Sequence, residues 1–282
     1  MAIDLRRGGR GAVTRTALAA LTVLLLGGFA VATKGSAAAA TASAEPVVSA
    51  PRQAFPPPGT TVPQQSSGVV HELTTWKLLD PGSNGFSHFV LEQYNTYANT
   101  WGVVYYGTGT SYEALLPAVQ FTEFRLTAFD SGGQPGTTRY GQGFVPVIAD
   151  DSDTSAPYAT SITYSSGWRR VSAGTAYGGS YLRSTKAGAS FTYCGYFSRI
   201  ALIAPRRTGG GAASVNVFGS TNTVSFRAPT NRYREVVGRW STPAPGAVPA
   251  GSGPTHCLTA TAKSAAPIFV DAVEYNVADI IE

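Results

Sequence analysis

The feature that most constrains this chain is a two-residue alternation of apolar and polar side chains, broken at short intervals by glycine and proline. "EFRLTAFD" sets Phe124, Leu126 and Ala128 on one side and Glu123, Arg125 and Thr127 on the other. "HELTTWKLL" alternates Leu73, Thr75 and Lys77 against Glu72, Thr74 and Trp76, and "HFVLEQYN" places Phe89, Leu91 and Gln93 on one face. Strand side chains point alternately to two faces, so this is the pattern of half-buried antiparallel strands. "DPGSNG", "NTYANT" and "DSGGQPG" separate them as turns. No stretch holds a helical period for long; "SYEALLPAV" comes nearest, and Pro117 breaks it. The second half repeats the style. It predicts strands over 159–164, 178–183, 190–194, 199–204, 213–218, 223–227, 234–239, 255–262 and 268–277, with glycine and proline clusters between them. Strands at that spacing predict an all-β fold of sandwich or jelly-roll type.

The first residues follow a different pattern. Arg6, Arg7, Arg10 and Arg15 precede the apolar run "ALAALTVLLL", followed by the small-residue site Ala42-Ser43-Ala44. A basic segment, an apolar segment of about 7–15 residues and an A-x-A site make a secretory signal peptide. Residues 1–44 are therefore expected to be removed, leaving a secreted, extracellular protein with no transmembrane span. The alternative is an uncleaved anchor. The uncharged run over 16–33 approaches the lower limit of about 17–25 residues for a span, although Gly27 and Gly28 interrupt it. Residues 45–67, rich in proline, glutamine and serine, are expected to form a disordered or semi-stiff leader, ending in an edge strand near Thr60–Pro63. Two β domains are expected to follow, over 68–150 and 151–282.

Charge argues against nucleic acid. The chain carries 21 basic and 16 acidic residues, net +5. Residues 1–44 hold five of the basic and one of the acidic groups, so the remainder is close to neutral. The halves differ: 68–150 holds three basic and seven acidic residues, 151–282 twelve and seven. That difference permits an acidic polymer as partner of the second half, and equally permits a role in solubility and docking alone.

Cys194 and Cys257 are the two cysteines, 63 residues apart. In an exported protein such a pair reads most simply as a disulfide. In the chain-entropy model a loop of that length contributes roughly 4 kcal/mol.

Catalytic patterns are not legible. There is no G-x-S-x-G and no H-E-x-x-H, and the three histidines, His71, His88 and His256, are dispersed over both halves. Asp271 and Glu274 stand three apart on one predicted strand, so they face opposite sides. We therefore expect a non-enzyme with no cofactor and no metal, long-range carboxylate pairs being the route left to a glycoside hydrolase. Sugar binding needs flat aromatic faces rimmed by polar groups. Trp168, Arg169, Tyr177, Tyr181 and Trp240 are the candidate ligand-binding residues, with Tyr233, Arg170, Arg206 and Arg207 as further donors or faces. Core packing of the same aromatics is the plain alternative.

The run "LTTWKLLDPGSNGFSHFVLEQYNTYANTWGVVYYGTGTSYEALLPAVQFTEFRLTAFDSGG" resembles a fibronectin type III domain through Trp76, "FVLEQ" and "FRLTAFDSGG". Thr122 and Glu123 stand where that family usually has a tyrosine, and Phe121 is expected to fill the space. From Tyr158 onward, "ITYSSGW", "AYGGSYLRSTKAGAS", "IALIAPRRTGGGAASVNVFG", "GPTH" and "IFVDAVEYNV" are similar to a jelly-roll, carbohydrate-binding-like module of secreted actinobacterial proteins. Phe218-Gly219 replaces the module's usual Asp-Gly hairpin, and Cys194 and Cys257 replace polar residues. The resemblance implies polysaccharide or cell-surface glycan as partner. It also raises a structural calcium at Asp271 with Asp150, Asp151 and Asp153, against the plain reading of Asp271 as a cap on a loop amide. The rivals to glycan binding are a structural or protein-interaction module and a hydrolase with unrecognised carboxylates.

Overall fold

The computed structural model of the chain describes residues 44–64, 68–242 and 255–278. Of the expected signal segment, residues 1–44, all but Ala44 lies outside them. In chain order the strands are β1 (Val47–Val48), β2 (Arg52–Ala54), β3 (Val69–Thr75), β4 (Leu78–Asp80), β5 (Phe86–Asn95), β6 (Thr100–Gly107) and β7 (Ser111–Pro117). Then come β8 (Phe124–Asp130), β9 (Arg139–Tyr140), β10 (Phe144–Asp150), β11 (Ala159–Tyr164), β12 (Trp168–Ser172), β13 (Ser180–Ser184) and β14 (Ser190–Gly195). The last are β15 (Arg199–Arg206), β16 (Ala212–Val217), β17 (Ser220–Ser225), β18 (Arg232–Ser241), β19 (His256–Ala262), β20 (Ile268–Val270) and β21 (Ala272–Ala278). The protein is all-β, and no helix among the described residues is long and apolar enough to cross a membrane.

In the N-terminal half, a three-stranded sheet β2-β3-β7 and a four-stranded sheet β6-β5-β8-β9 share one core. The alternation of "EFRLTAFD" drives this. Phe124, Leu126 and Ala128 are fully buried with Phe89, Leu91, Leu116 and Trp76, each large side chain contributing about 1.5–3 kcal/mol on burial. Trp76 meets Phe89 edge-on at 5.9 Å. In the C-terminal half, the four-stranded sheet β10-β21-β15-β18 and the five-stranded sheet β11-β14-β19-β16-β17 enclose a second core, to which the sheet β12-β13-β20 adds Tyr181 and Phe269. Cys194 and Cys257 are directly opposite on β14 and β19 and form a disulfide.

Several local outcomes differ from the sequence reading. "SYEALLPAV" is the edge strand β7, because Ala114 and Leu116 turn inward while Glu113 and Leu115 turn out. Pro117 is its last residue, where a missing N–H is tolerated. Residues 45–64 do not form a disordered leader. They carry β1 and β2, bury Val48, Phe55 and Val62, and pair with the outer edge of β18 through Val62 N–H to Arg234 O and Val236 N–H to Thr60 O. Apolar side chains between the prolines make this burial favourable, and the segment covers a strand edge that would otherwise be open. The strand expected over 268–277 breaks at Asp271, where the chain passes from the β20 sheet to the β21 sheet. β10, which ends at the expected domain boundary, pairs along its whole length with β21. Phe121 is half-buried beside Tyr94, and next to it the Thr122 and Phe144 main chains pair with each other. Phe218 and Gly219 form a two-residue hairpin with φ of 50° and 74°, the left-handed geometry that Asp-Gly also serves.

Candidate functional site

Strand register assembles a polar patch where the two halves meet. On β21, Ala272, Glu274 and Asn276 share one face, while Val273, Tyr275 and Val277 face the C-terminal core. Across the sheet, Pro146, Asn276, Arg199 and Ser241 form one row, and Ile148, Glu274, Ala201 and Arg239 the next. The row beyond is Asp150, Ala272, Ile203 and Val236, of which Ala272, Ile203 and Val236 pack with Phe55, Val62 and Val70. β3 presents Val70, Glu72 and Thr74 to this face, and Gln53 of β2 stands opposite Thr74. The interface thus has an apolar cluster toward one end and a polar one toward the other.

The polar end opens to a cleft of about 250 Å³, lined by Gln53, Ala54 and Phe55 on one side and by Arg199, Arg239, Trp240 and Ser241 on the other. Trp240 lies over Gly238, where any Cβ would come within 2.4 Å of the indole ring. Glycine at 238 is therefore what lets the indole lie along the strand. Arg239 donates to the Phe55 carbonyl, fixing the second wall against the first.

Behind the cleft, Asn276 Nδ2 donates to Glu72 Oε1 at 2.7 Å, and the His71 N–H donates to Glu274 Oε1 at 3.5 Å. Burial pushes the Glu72 carboxyl up to about 8, against the lowering effects of the Asn276 hydrogen bond and the Arg199 charge. Burial, and then the nearby Glu72, push Glu274 well above the ordinary range. Burial lowers Arg199 from its usual value, and Glu72 offsets this in part. Both glutamic acids are thus held largely neutral at pH 7, while arginine stays cationic. Among the described residues, both amide atoms of Gln53, Thr74 Oγ1, Glu72 Oε2, Glu274 Oε2 and Asn276 Oδ1 have no hydrogen-bond partner.

The five residues singled out from sequence do not converge. Trp168 is half-buried, its Nε1 donating to Ser190 O at 2.9 Å, and Arg169 is exposed beside it on β12. Tyr181 is 1% exposed, and its hydroxyl accepts from Arg207 Nη2 at 2.6 Å. Tyr177 is buried in the interface, where its N–H donates to Asp271 Oδ1 at 2.9 Å. Asp271 therefore caps a loop amide. Asp150, Asp151 and Asp153 lie nearby, but among the described residues no three potential ligands are arranged to hold a metal. Trp240 alone of the five lines the cleft. Sequence reasoning missed Gln53, Arg199 and Arg239. The available signal was a charged residue opening the otherwise apolar run "RIALIA".

A second surface was also missed. The outer face of the four-stranded N-terminal sheet carries Trp101, Tyr106 and Tyr140, the last two 68% and 53% exposed. Arg125 lies 4.6 Å over the Trp101 ring and pairs with Glu92 at 2.7 Å.

No family model matches this chain. No curated protein matches it either. Among solved structures, it is similar at 12% identity and a TM-score of 0.33 to the insecticidal crystal protein Cry2Aa, covering 83% of this chain and 49% of that one. It thus spans about half of that protein's length. A carbohydrate-binding module of the β-sandwich superfamily matches at 10% identity and a TM-score of 0.24, over 82% of this chain and 98% of that one. The secreted serine protease VesC from Vibrio cholerae matches at 9% identity and a TM-score of 0.25, over 78% and 48%. Likenesses this distant carry no argument about function.

Proposed function

We propose that this chain is a secreted, non-catalytic binding protein whose C-terminal β-sandwich takes polysaccharide or cell-surface glycan in the cleft at Trp240. In this reading the N-terminal sandwich is of fibronectin type III type and the C-terminal one of jelly-roll type. The three- and four-stranded sheets β2-β3-β7 and β6-β5-β8-β9 support the first assignment. The observation that carries the binding reading is the cleft itself. Two guanidinium groups, an unpartnered amide and the Ser241 hydroxyl meet in one small concavity, which Trp240 also lines although its ring packs on the C-terminal core. Planar guanidinium and amide groups can select the oxygens of a sugar ring. The non-catalytic part of the reading is supported by the burial of the nearest carboxylate pair. Glu72 and Glu274 are 0% and 1% exposed, beneath the cleft and out of reach of a glycosidic bond. Export is supported by the basic and apolar N-terminal segments and by the disulfide.

A glycan array probed with the purified protein tests the proposal. Retention of at least one glycan class is expected, with its loss in Trp240→Ala. No retention above background, or retention indifferent to Trp240→Ala, would overturn it. A protein-interaction role is the second reading, favoured by the exposed aromatics Tyr106 and Tyr140 on the outer sheet face. It predicts binding lost on Trp101→Ala and unaffected by Trp240→Ala.

A further inference from the structure

The cleft has a charge imbalance that narrows its ligand. Arg199 is held in place by the sheet, opposite Asn276 on one side and Ser241 on the other. Among the described residues its guanidinium has no hydrogen-bond or ion-pair partner. The neighbouring carboxyl, Glu72, is engaged by Asn276 and is kept largely neutral by burial. Glu274, the next acid, is likewise buried and shifted the same way. Arg239 spends a donor on the Phe55 carbonyl and is otherwise exposed. No acidic residue lines the cleft. A half-buried guanidinium without a compensating anion is costly, and a bound anion relieves that cost.

We propose that the cleft is a seat for the carboxylate of an acidic sugar, gripped by Arg199 and Arg239 with Gln53 and Ser241 beside them. The proposal rests on the glycan-binding reading and names the class of glycan. A carboxylate fits better than a neutral hydroxyl, because the guanidinium fork matches its two coplanar oxygens. Gln53, 4% exposed, adds an amide donor and an amide acceptor, and Ser241 a hydroxyl, for the ring's own oxygens. The cleft's volume of about 250 Å³ falls below the roughly 300–1,000 Å³ of sites that enclose drug-sized ligands. It suits one acidic residue of a chain whose neighbours run out into solvent. The twelve basic and seven acidic residues of 151–282 add a favourable long-range field for such a polymer.

Titration calorimetry of the purified protein with three matched oligomers tests this: a uronate oligomer, the same oligomer as its methyl ester, and a sulfated neutral oligomer. The uronate is expected to bind at least ten-fold tighter than the ester, and to weaken as salt is raised. Arg199→Gln and Arg239→Gln are each expected to lose about ten-fold more affinity for the uronate than for the ester, a difference of about 1.4 kcal/mol per variant. Arg239 is exposed, so its variant keeps the test valid even if Arg199→Gln fails to fold. Equal affinity for acid and ester, both lost in Trp240→Ala, would keep the glycan reading and overturn the carboxylate seat. Tighter binding of the sulfated oligomer than of the uronate would also overturn it. No heat from any of the three, together with an empty glycan array, would overturn both readings.

Discussion

Glu72 is the residue whose chemistry is most at odds with its surroundings. It sits 0% exposed on β3 and is pushed up to about 8, chiefly by burial. A carboxyl whose folded value lies above its unfolded value of 4.5 stabilises the fold fully below that lower value, and the contribution is lost as pH rises through about 8. Asp271, raised to about 7, and Asp151, raised to about 6, act with the same sign. Urea unfolding should therefore show lower stability at pH 8 than at pH 5. Glu72→Gln keeps an oxygen for Asn276 Nδ2 and removes the titration, so it should raise stability at pH 8 by on the order of 2 kcal/mol and change little at pH 4. Parallel pH profiles for the variant and the parent would refute this. Tyr181 makes the complementary point. It looked like a ligand face in the sequence, yet its ring is buried against Phe269 and its hydroxyl holds Arg207. Tyr181→Ala should cost about 3–5 kcal/mol, as a large-to-small core change does, visible as a lower denaturation midpoint. A midpoint within experimental scatter of the parent would contradict that placement.

At the scale of elements, what was legible depended on whether the signal was local. The inward faces of β5 and β8 were readable, because Phe89 and Leu91, and Phe124, Leu126 and Ala128, alternate within a few residues. The cysteine pair was readable from compartment chemistry alone, and its two strands proved to be neighbours. β7 was harder, since apolar clustering in "EALL" imitates a helical turn until its cross-strand partners are known. The disulfide joins strands already hydrogen-bonded to each other. Replacing both cysteines with serine should cost about 2–4 kcal/mol in urea unfolding, and no change in midpoint would mean the bond only decorates a sheet that holds itself. At β18, Gly238→Ala places a methyl where the Trp240 ring lies. It should displace the indole from its packing on the C-terminal core, lowering the denaturation midpoint and weakening glycan binding at least ten-fold. Unchanged affinity would show that the ring's position is immaterial.

Across the whole molecule, the site arises from the way the two halves share an interface, which is why the sequence hid it. Glu72 and Asn276 are 204 residues apart, and no spacing rule joins them. Gln53 belongs to a stretch that composition assigned to a leader, yet it walls the cleft opposite Arg199. Trp240 was recognisable as an aromatic at a strand end, but its partners come from other strands. We propose that glycan binds in this composite cleft and not at the strand-end aromatics of β12. The most direct test is the affinity of one array-selected glycan for the parent protein, Trp240→Ala and Trp168→Ala, measured side by side by calorimetry. Binding should be abolished in Trp240→Ala and retained within two-fold in Trp168→Ala. Binding that survives Trp240→Ala and disappears in Trp168→Ala would contradict it.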